Sequence, residues 1–141
     1  LPAPEPGAPT ALGGTLEGDT YTLPTFMVEL ALREEGWDAA SYGAGHPAET
    51  LVRGLRDKRP RLFWISVSHV PDHERLVTDL ELLHGTCEDL GIPLALGGRA
   101  LGEDERRDLA YTVFCEDLRR VVSFARTFAA AKERAPGQAP L

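Results

Sequence analysis

Residues that could bind a cofactor follow three of the hydrophobic segments of the chain. Their side chains offer a carboxylate, a phenol, hydroxyls and an imidazole, which form hydrogen bonds or ligate metals, while glycines leave room for a ligand beside the backbone. They are Asp19 and Tyr21 after the first segment, Ser66, Ser68 and His69 after the third, and Gly97 and Gly98 after the fourth. We predict that these residues form a cofactor-binding site at one edge of a sheet.

The histidines are candidate metal ligands, since imidazole binds haem iron, cobalt and zinc. His46, in the loop sequence GAGHP, could be an axial ligand to haem or cobalt, although an exposed loop histidine is the simpler interpretation. His69 and His73 would share a face if they were helical, but Pro71 argues against a regular turn there. Two ligands without a third do not define a site, so no metal site is predicted.

No catalytic motif is recognisable in the sequence. A Cys–His or Ser–His–Asp spacing, a phosphate-binding G-x-x-x-x-G-K-[ST] loop and a G-x-G-x-x-G fingerprint are all absent. The chain is therefore predicted not to be an enzyme by itself. Cys87 and Cys115 lie far apart without a C-x-x-C partner, which favours buried thiols in a reducing cytoplasm over a disulfide or a zinc site.

Composition indicates one globular domain with unusual ends. The chain has 141 residues, of which 43% are hydrophobic and 26% charged. The Pro-rich residues 1–11 are predicted to be a linker, residues 12–132 the folded domain and residues 133–141 a flexible tail. A net charge of −7 disfavours direct nucleic acid binding, and no long apolar run or signal peptide indicates membrane insertion or secretion, so a cytoplasmic location is expected.

Strand and helix patterns alternate along the domain and must position the candidate residues. The predicted strands are ALGGTLEG, WDAASYG, LFWISV, IPLALGG and AYTVF, and the helices between them include one with Phe26, Met27, Leu30 and Ala31 at helical spacing. The run LFWISV shows no alternation, which is typical of a central parallel strand. The predicted fold class is α/β, with a doubly wound five-stranded parallel sheet flanked by helices, flavodoxin-like or Rossmann-like.

Three motifs at the predicted carboxyl edge carry a family resemblance. Residues 12–130 resemble the cobalamin-binding domain of corrinoid enzymes and of light- or corrinoid-responsive transcriptional regulators. That family has D-x-H-x-x-G in the first loop, S-x-L or S-x-V after the third strand and G-G after the fourth. The corresponding residues here are Asp19 to Pro24, Ser66 to Ser68, and the pair Gly97 and Gly98.

The first of these motifs departs from the family pattern at two positions. The family histidine is the lower ligand of cobalt, and Tyr21 stands in its place as a poor neutral donor. The family glycine lets the displaced nucleotide tail of the cofactor run along the backbone, and Pro24 adds a ring and removes an N–H there. The resemblance therefore implies a cobalamin-binding scaffold whose base-off cobalt ligation is lost and whose tail channel is narrowed.

The resemblance implies a regulatory ligand-sensing domain, as part of a bacterial transcriptional regulator with an upstream DNA-binding module. Its partner would be a small-molecule ligand or a protein, and its cofactor cobalamin, haem or none. One alternative is a cofactor-free domain for protein interaction or dimerisation. Less favoured alternatives are a haem-binding sensor and a corrinoid-carrying module of a methyltransferase or mutase, which would need the missing cobalt ligand.

Overall fold

A computed structural model describes residues 3–133, except for the side chains of residues 131–133. Five parallel strands form one sheet in the order β2-β1-β3-β4-β5, namely β1 Thr10–Gly14, β2 Asp38–Ser41, β3 Leu62–Ser66, β4 Leu94–Gly97 and β5 Val113–Cys115. The helices are α1 Leu23–Glu34, α2 Ala48–Lys58, α3 His73–Leu90, α4 Glu103–Arg106 and α5 Leu118–Glu133. The predicted doubly wound α/β class is therefore confirmed.

The central strand β3 divides the core into two layers. All five of its residues are buried, as the unbroken apolar run predicted, and it pairs with β1 and β4. Phe63 and Ile65 pack with α2 and α3 on one face of the sheet. Leu62 and Trp64 pack with α1 and α5 on the other face. The carboxyl ends of the strands therefore lie at an edge of a sheet that has one pair of helices on each face.

Most element positions agree with the sequence patterns, and the differences lie at the ends of the strands: β1 ends at Gly14 where the predicted strand extended to Gly18, and β2 and β4 are also shorter than predicted. β1 begins at Thr10, so the last two residues of the predicted 1–11 linker belong to the sheet. β5 lies at 113–115 rather than 110–114, because Thr112 is the first residue of this segment to exchange hydrogen bonds with Leu94. The predicted tail lies outside the described residues except for residue 133, where α5 ends.

Helix α1 forms where the apolar spacing predicted a helix. The large apolar residues of that pattern, Phe26, Met27 and Leu30, nevertheless face outward. The buried residues of α1 are Thr25, Val28 and Leu32, on the side of the helix that meets the sheet. Four large apolar residues are exposed on the opposite side, and we call them the α1 outer stripe: Leu23, Phe26, Met27 and Leu30.

Among the described residues, no helix is long and apolar enough to cross a membrane.

Candidate functional site

A groove of about 860 Å³ lies at the carboxyl edge of the sheet, between the first turns of α1 and α5. Its floor is formed by Trp64, Ala95 and Cys115 from β3, β4 and β5. The α1 wall includes Pro24, Met27 and Val28, and the α5 wall includes Leu118 and Val121. The lining is mainly apolar, which suits a ligand with an extended apolar or aromatic part.

The indole of Trp64 is fixed at the floor of this groove. Its Nε1 donates to Thr25 Oγ1 at 3.0 Å, and Thr25 Oγ1 lies 2.8 Å from Ser41 Oγ. On the neighbouring strand β1, a Cβ at Gly13 would lie 2.0 Å from the indole ring, so only glycine leaves space for this ring. The indole is therefore held rigidly at the base of the groove, with only 2% of the residue exposed.

Five predicted site residues line the groove: Tyr21, Ser66, Ser68, Gly97 and Gly98. Both glycines have a packing reason as well. A Cβ at Gly97 would lie 2.9 Å from the Cys115 carbonyl oxygen, and one at Gly98 would lie 1.8 Å from the Val67 carbonyl oxygen. Gly98 also has a φ of 137°, a conformation that favours glycine. The glycine pair thus lets neighbouring loops approach closely and adds no side chain of its own to the groove.

Pro24 lines the groove without closing it, and the narrowing relative to glycine that the family resemblance implied stays a prediction. It lies in the first turn of α1, where a missing N–H costs no helical hydrogen bond. Its ring forms part of the groove wall, and the volume of about 860 Å³ remains beside it. The groove is therefore open beside Pro24.

Asp19 binds backbone amides rather than facing the groove. Its carboxylate is buried and accepts hydrogen bonds from the N–H groups of Tyr21 at 3.2 Å, Ser68 at 2.7 Å and His69 at 3.3 Å. These bonds join the loop after β1 to the loop after β3. Asp19 and His69 border a separate cavity of about 40 Å³ near the start of α3. The structure therefore places these two predicted residues outside the groove.

The histidines are distributed away from the groove. A ring nitrogen of His46 lies within hydrogen-bond distance of the Tyr42 carbonyl oxygen. His73 begins α3 and pairs with Asp108 at 3.0 Å, so His69 and His73 do not share a helical face. His84 lies on α3 beside Glu88. Within residues 3–133, no group of three or more histidine, cysteine or acidic residues is arranged to hold a metal ion.

The groove combines a neutral floor with a charged mouth. Burial raises the pKa of the Cys115 thiol to about 11, so this cysteine is protonated near neutral pH and is not an activated nucleophile. At the start of α5, the backbone N–H of Arg120 donates to Asp117 and lowers the pKa of that carboxyl. Arg99 and Arg119 bring positive charge to the same mouth. A ligand with an apolar part and a polar end matches this distribution.

Trp64 and Ala95 of the floor, and the α5 wall, were not predicted from the sequence. Trp64 was recognised as part of a buried strand but not as a groove residue. A signal was present, because Gly13 lies inside β1 and pairs with Trp64 in the parallel register. A glycine within a strand marks a place where another group approaches the backbone closely.

Comparison with known proteins identifies the fold. No protein-family model matches the chain, and a search of curated proteins found no match. A cobalamin-binding protein from Desulfitobacterium hafniense has a similar structure, with a TM-score of 0.74 at 13% identity over 85% of this chain and 58% of that chain. The methanol:cobalamin methyltransferase complex MtaBC from Methanosarcina barkeri gives 0.72 at 21% identity over 86% of this chain and 46% of that chain.

Signal receiver domains share the same architecture. One from a modulated diguanylate cyclase of Desulfovibrio desulfuricans has a TM-score of 0.63 at 12% identity, over 92% of this chain and 99% of that chain. The chain thus has the flavodoxin-like α/β fold of cobalamin-binding domains, and it spans about half the length of the cobalamin proteins that it matches. These comparisons establish the fold. A shared fold does not by itself define a ligand or a role.

Proposed function

We propose that this domain is a regulatory ligand-binding domain and that its ligand enters the groove between α1 and α5. The observation that carries this proposal is the open apolar groove of about 860 Å³ with Trp64 at its floor, at the strand edge where doubly wound folds bind ligands. A corrinoid is the first candidate, because two similar structures are cobalamin proteins. The groove would take its nucleotide tail, the part of the molecule that is flat, aromatic and extended.

The donor set does not fit direct ligation of cobalt by the domain. Tyr21 occupies the position of the family histidine, and its side chain is 62% exposed at the groove mouth. None of the described histidines lines the groove. We therefore propose binding through the organic part of the ligand, by stacking, apolar contact and the charged mouth. Haem is the second candidate ligand, and it would meet the same lack of an imidazole donor.

The proposal also includes a regulatory context. We propose that the domain belongs to a cytoplasmic bacterial transcriptional regulator, next to a DNA-binding module, and that it catalyses no reaction of its own. The motif resemblance at Ser66 to Ser68 and at Gly97 and Gly98 supports a cobalamin-binding-type domain, which corrinoid enzymes and regulators share. A corrinoid-carrying module of a methyltransferase or mutase is disfavoured by Tyr21. A protein-interaction domain is the alternative that a specific observation favours, namely the exposed α1 outer stripe.

Gel filtration followed by visible spectroscopy tests ligand binding. The purified domain is mixed with hydroxocobalamin, adenosylcobalamin, haemin or cobinamide, which has the corrin ring without the nucleotide tail. We expect a cobalamin to co-elute and cobinamide not to, because the groove holds the tail. Equal retention of cobinamide would refute the tail groove. If no chromophore co-elutes, the corrinoid and haem proposals both fail.

Two variants locate the binding site and test the ligation. Ser68→Phe adds a ring at the groove mouth and should weaken binding by about tenfold or more. Ser123→Phe is the matched control, because Ser123 is exposed on α5 away from the groove lining, and it should bind as the unmodified domain does. Tyr21→Phe should leave the visible spectrum of a bound corrinoid unchanged. A spectral change in that variant would show that the phenol ligates cobalt.

A further inference from the structure

The α1 outer stripe is an exposed apolar surface, and neither the fold nor the groove accounts for its exposure. The exposed fractions of its side chains are 69% for Leu23, 40% for Phe26, 41% for Met27 and 48% for Leu30. Together they expose roughly 350 Å², on the scale of the largest apolar patch of an ordinary soluble monomer. Such a contiguous patch, unlike scattered apolar residues, indicates an interaction surface.

The spacing of the stripe is the same when read in either direction. Leu23 and Leu30 lie at its ends, and Phe26 and Met27 lie at its centre. In an antiparallel pair of α1 helices with a twofold axis between residues 26 and 27, each Leu23 would face Leu30 of the other copy. Phe26 would face Met27 in the same way. A twofold interface requires this self-complementarity, because each contact must occur twice with the roles exchanged.

The charges of α1 also suit an antiparallel pair. No described side chain caps the N-terminus of α1, and its first turn holds no acidic residue, so neither offsets the partial positive charge of this helix end. Glu34 follows Leu30 by four residues, is exposed and continues the stripe. In the antiparallel pair, Glu34 of each copy would lie near the N-terminus of the other α1. A parallel pair would instead bring the two Glu34 carboxylates together.

We propose that the α1 outer stripe binds a second copy of this chain, forming an antiparallel twofold dimer. Two facing stripes with their flanking residues would bury about 800–1,000 Å² in total, near the lower limit for a specific interface, so the dimer is weak and concentration-dependent. Leu23 and Met27 also line the groove. The second copy would therefore lie beside the groove mouth, where a bound ligand could alter association. The dimer itself does not require the ligand.

Sedimentation velocity without ligand tests association, over low-micromolar to near-millimolar concentrations. Leu30→Lys introduces charge into the stripe without touching the groove, and it should weaken association by about tenfold or more. Leu82→Lys is the matched control, because Leu82 is 42% exposed on α3 across the sheet. It should associate as the unmodified chain does. A monomer at all concentrations, or equal effects of the two variants, would overturn the proposal.

Disulfide trapping tests the orientation. Each partner carries one new cysteine, Leu23→Cys or Leu30→Cys, and the native cysteines are buried. The antiparallel pair predicts that mixed chains form a Leu23→Cys to Leu30→Cys disulfide faster than either variant alone forms its own. Faster trapping within each variant would contradict the twofold axis between residues 26 and 27. These outcomes are independent of the ligand-binding test, so either proposal can fail alone.

Discussion

Replacing Asp19 by Asn tests whether this residue stabilises the loops or serves the ligand. Within the described part of the chain Asp19 has no ion-pair partner, and its two oxygens accept three backbone N–H groups. An asparagine keeps one oxygen and presents an NH₂ group to at least one of those donors. Because a hydrogen bond to a charged group contributes about 1.5–3 kcal/mol, and a buried unsatisfied donor adds to the loss, Asp19→Asn should lower the free energy of unfolding by about 2–4 kcal/mol.

Urea unfolding at neutral pH measures this loss as a lower transition midpoint with an unchanged slope. Asp72→Asn is the matched control. Asp72 is the exposed N-cap of α3 and accepts one N–H, from Arg75 at 3.2 Å. Asparagine caps helices about as well as aspartate, so this variant should lose less than about 0.5 kcal/mol. Hydrogen exchange at the Ser68 amide should also accelerate in Asp19→Asn.

A loss below about 0.5 kcal/mol in Asp19→Asn would refute the structural role, since that is the size of an ordinary surface substitution. If such a variant remained stable but lost ligand binding, Asp19 would belong to the binding site after all. From the structure we expect the opposite result. The stability of Asp19→Asn should fall, and any loss of ligand binding should follow from displacement of the loops that carry Tyr21 and Ser68.

Three further predictions concern packing and titration. Gly13→Ala should cost about 3 kcal/mol because its Cβ would overlap the Trp64 ring, whereas Gly85→Ala, with open space around it, should be neutral or stabilising. Burial raises the pKa of Asp79, so the ionised carboxylate is disfavoured in the folded state, and this penalty is lost as pH falls through the folded pKa. Urea unfolding should therefore show Asp79→Asn to be more favourable, relative to the unmodified domain, near pH 7 than near about pH 3, where the carboxyl is protonated. Cys87 is fully buried away from the groove and burial raises its pKa to about 12, so it should react with thiol reagents at pH 8 only as fast as the domain opens; rapid labelling of Cys87 would contradict its burial.

The fold was predictable because its local and global signals agree. Helix α2 begins directly after Pro47, a residue that favours helix starts, and its buried Leu51 and Leu55 recur at helical spacing. The burial of β3 on both faces followed from its unbroken apolar run. The direction that α1 faces was not predictable from spacing. Thr25 lies inward because its hydroxyl accepts from Trp64, and that contact joins residues distant in the sequence.

The site was predictable in position but not in orientation. Parallel strands end at one edge, which brought Ser68, Gly97 and Gly98 into one groove as expected. The same rule does not determine where a side chain points, and Asp19 and His69 face a different cavity. The groove floor depends on Gly13 leaving space for a ring from the next strand, which only the tertiary packing reveals.

Two-dimensional NMR of the ¹⁵N-labelled domain with added hydroxocobalamin tests the ligand groove most directly. The two tryptophans serve as internal probes, because Trp64 lies at the groove floor and Trp37 is buried outside the groove lining. We predict that the Trp64 indole and the Gly97 and Gly98 amides shift on addition of the corrinoid, while the Trp37 indole does not. Unchanged groove resonances, or shifts confined to the face covered by α2 and α3, would contradict the proposed site.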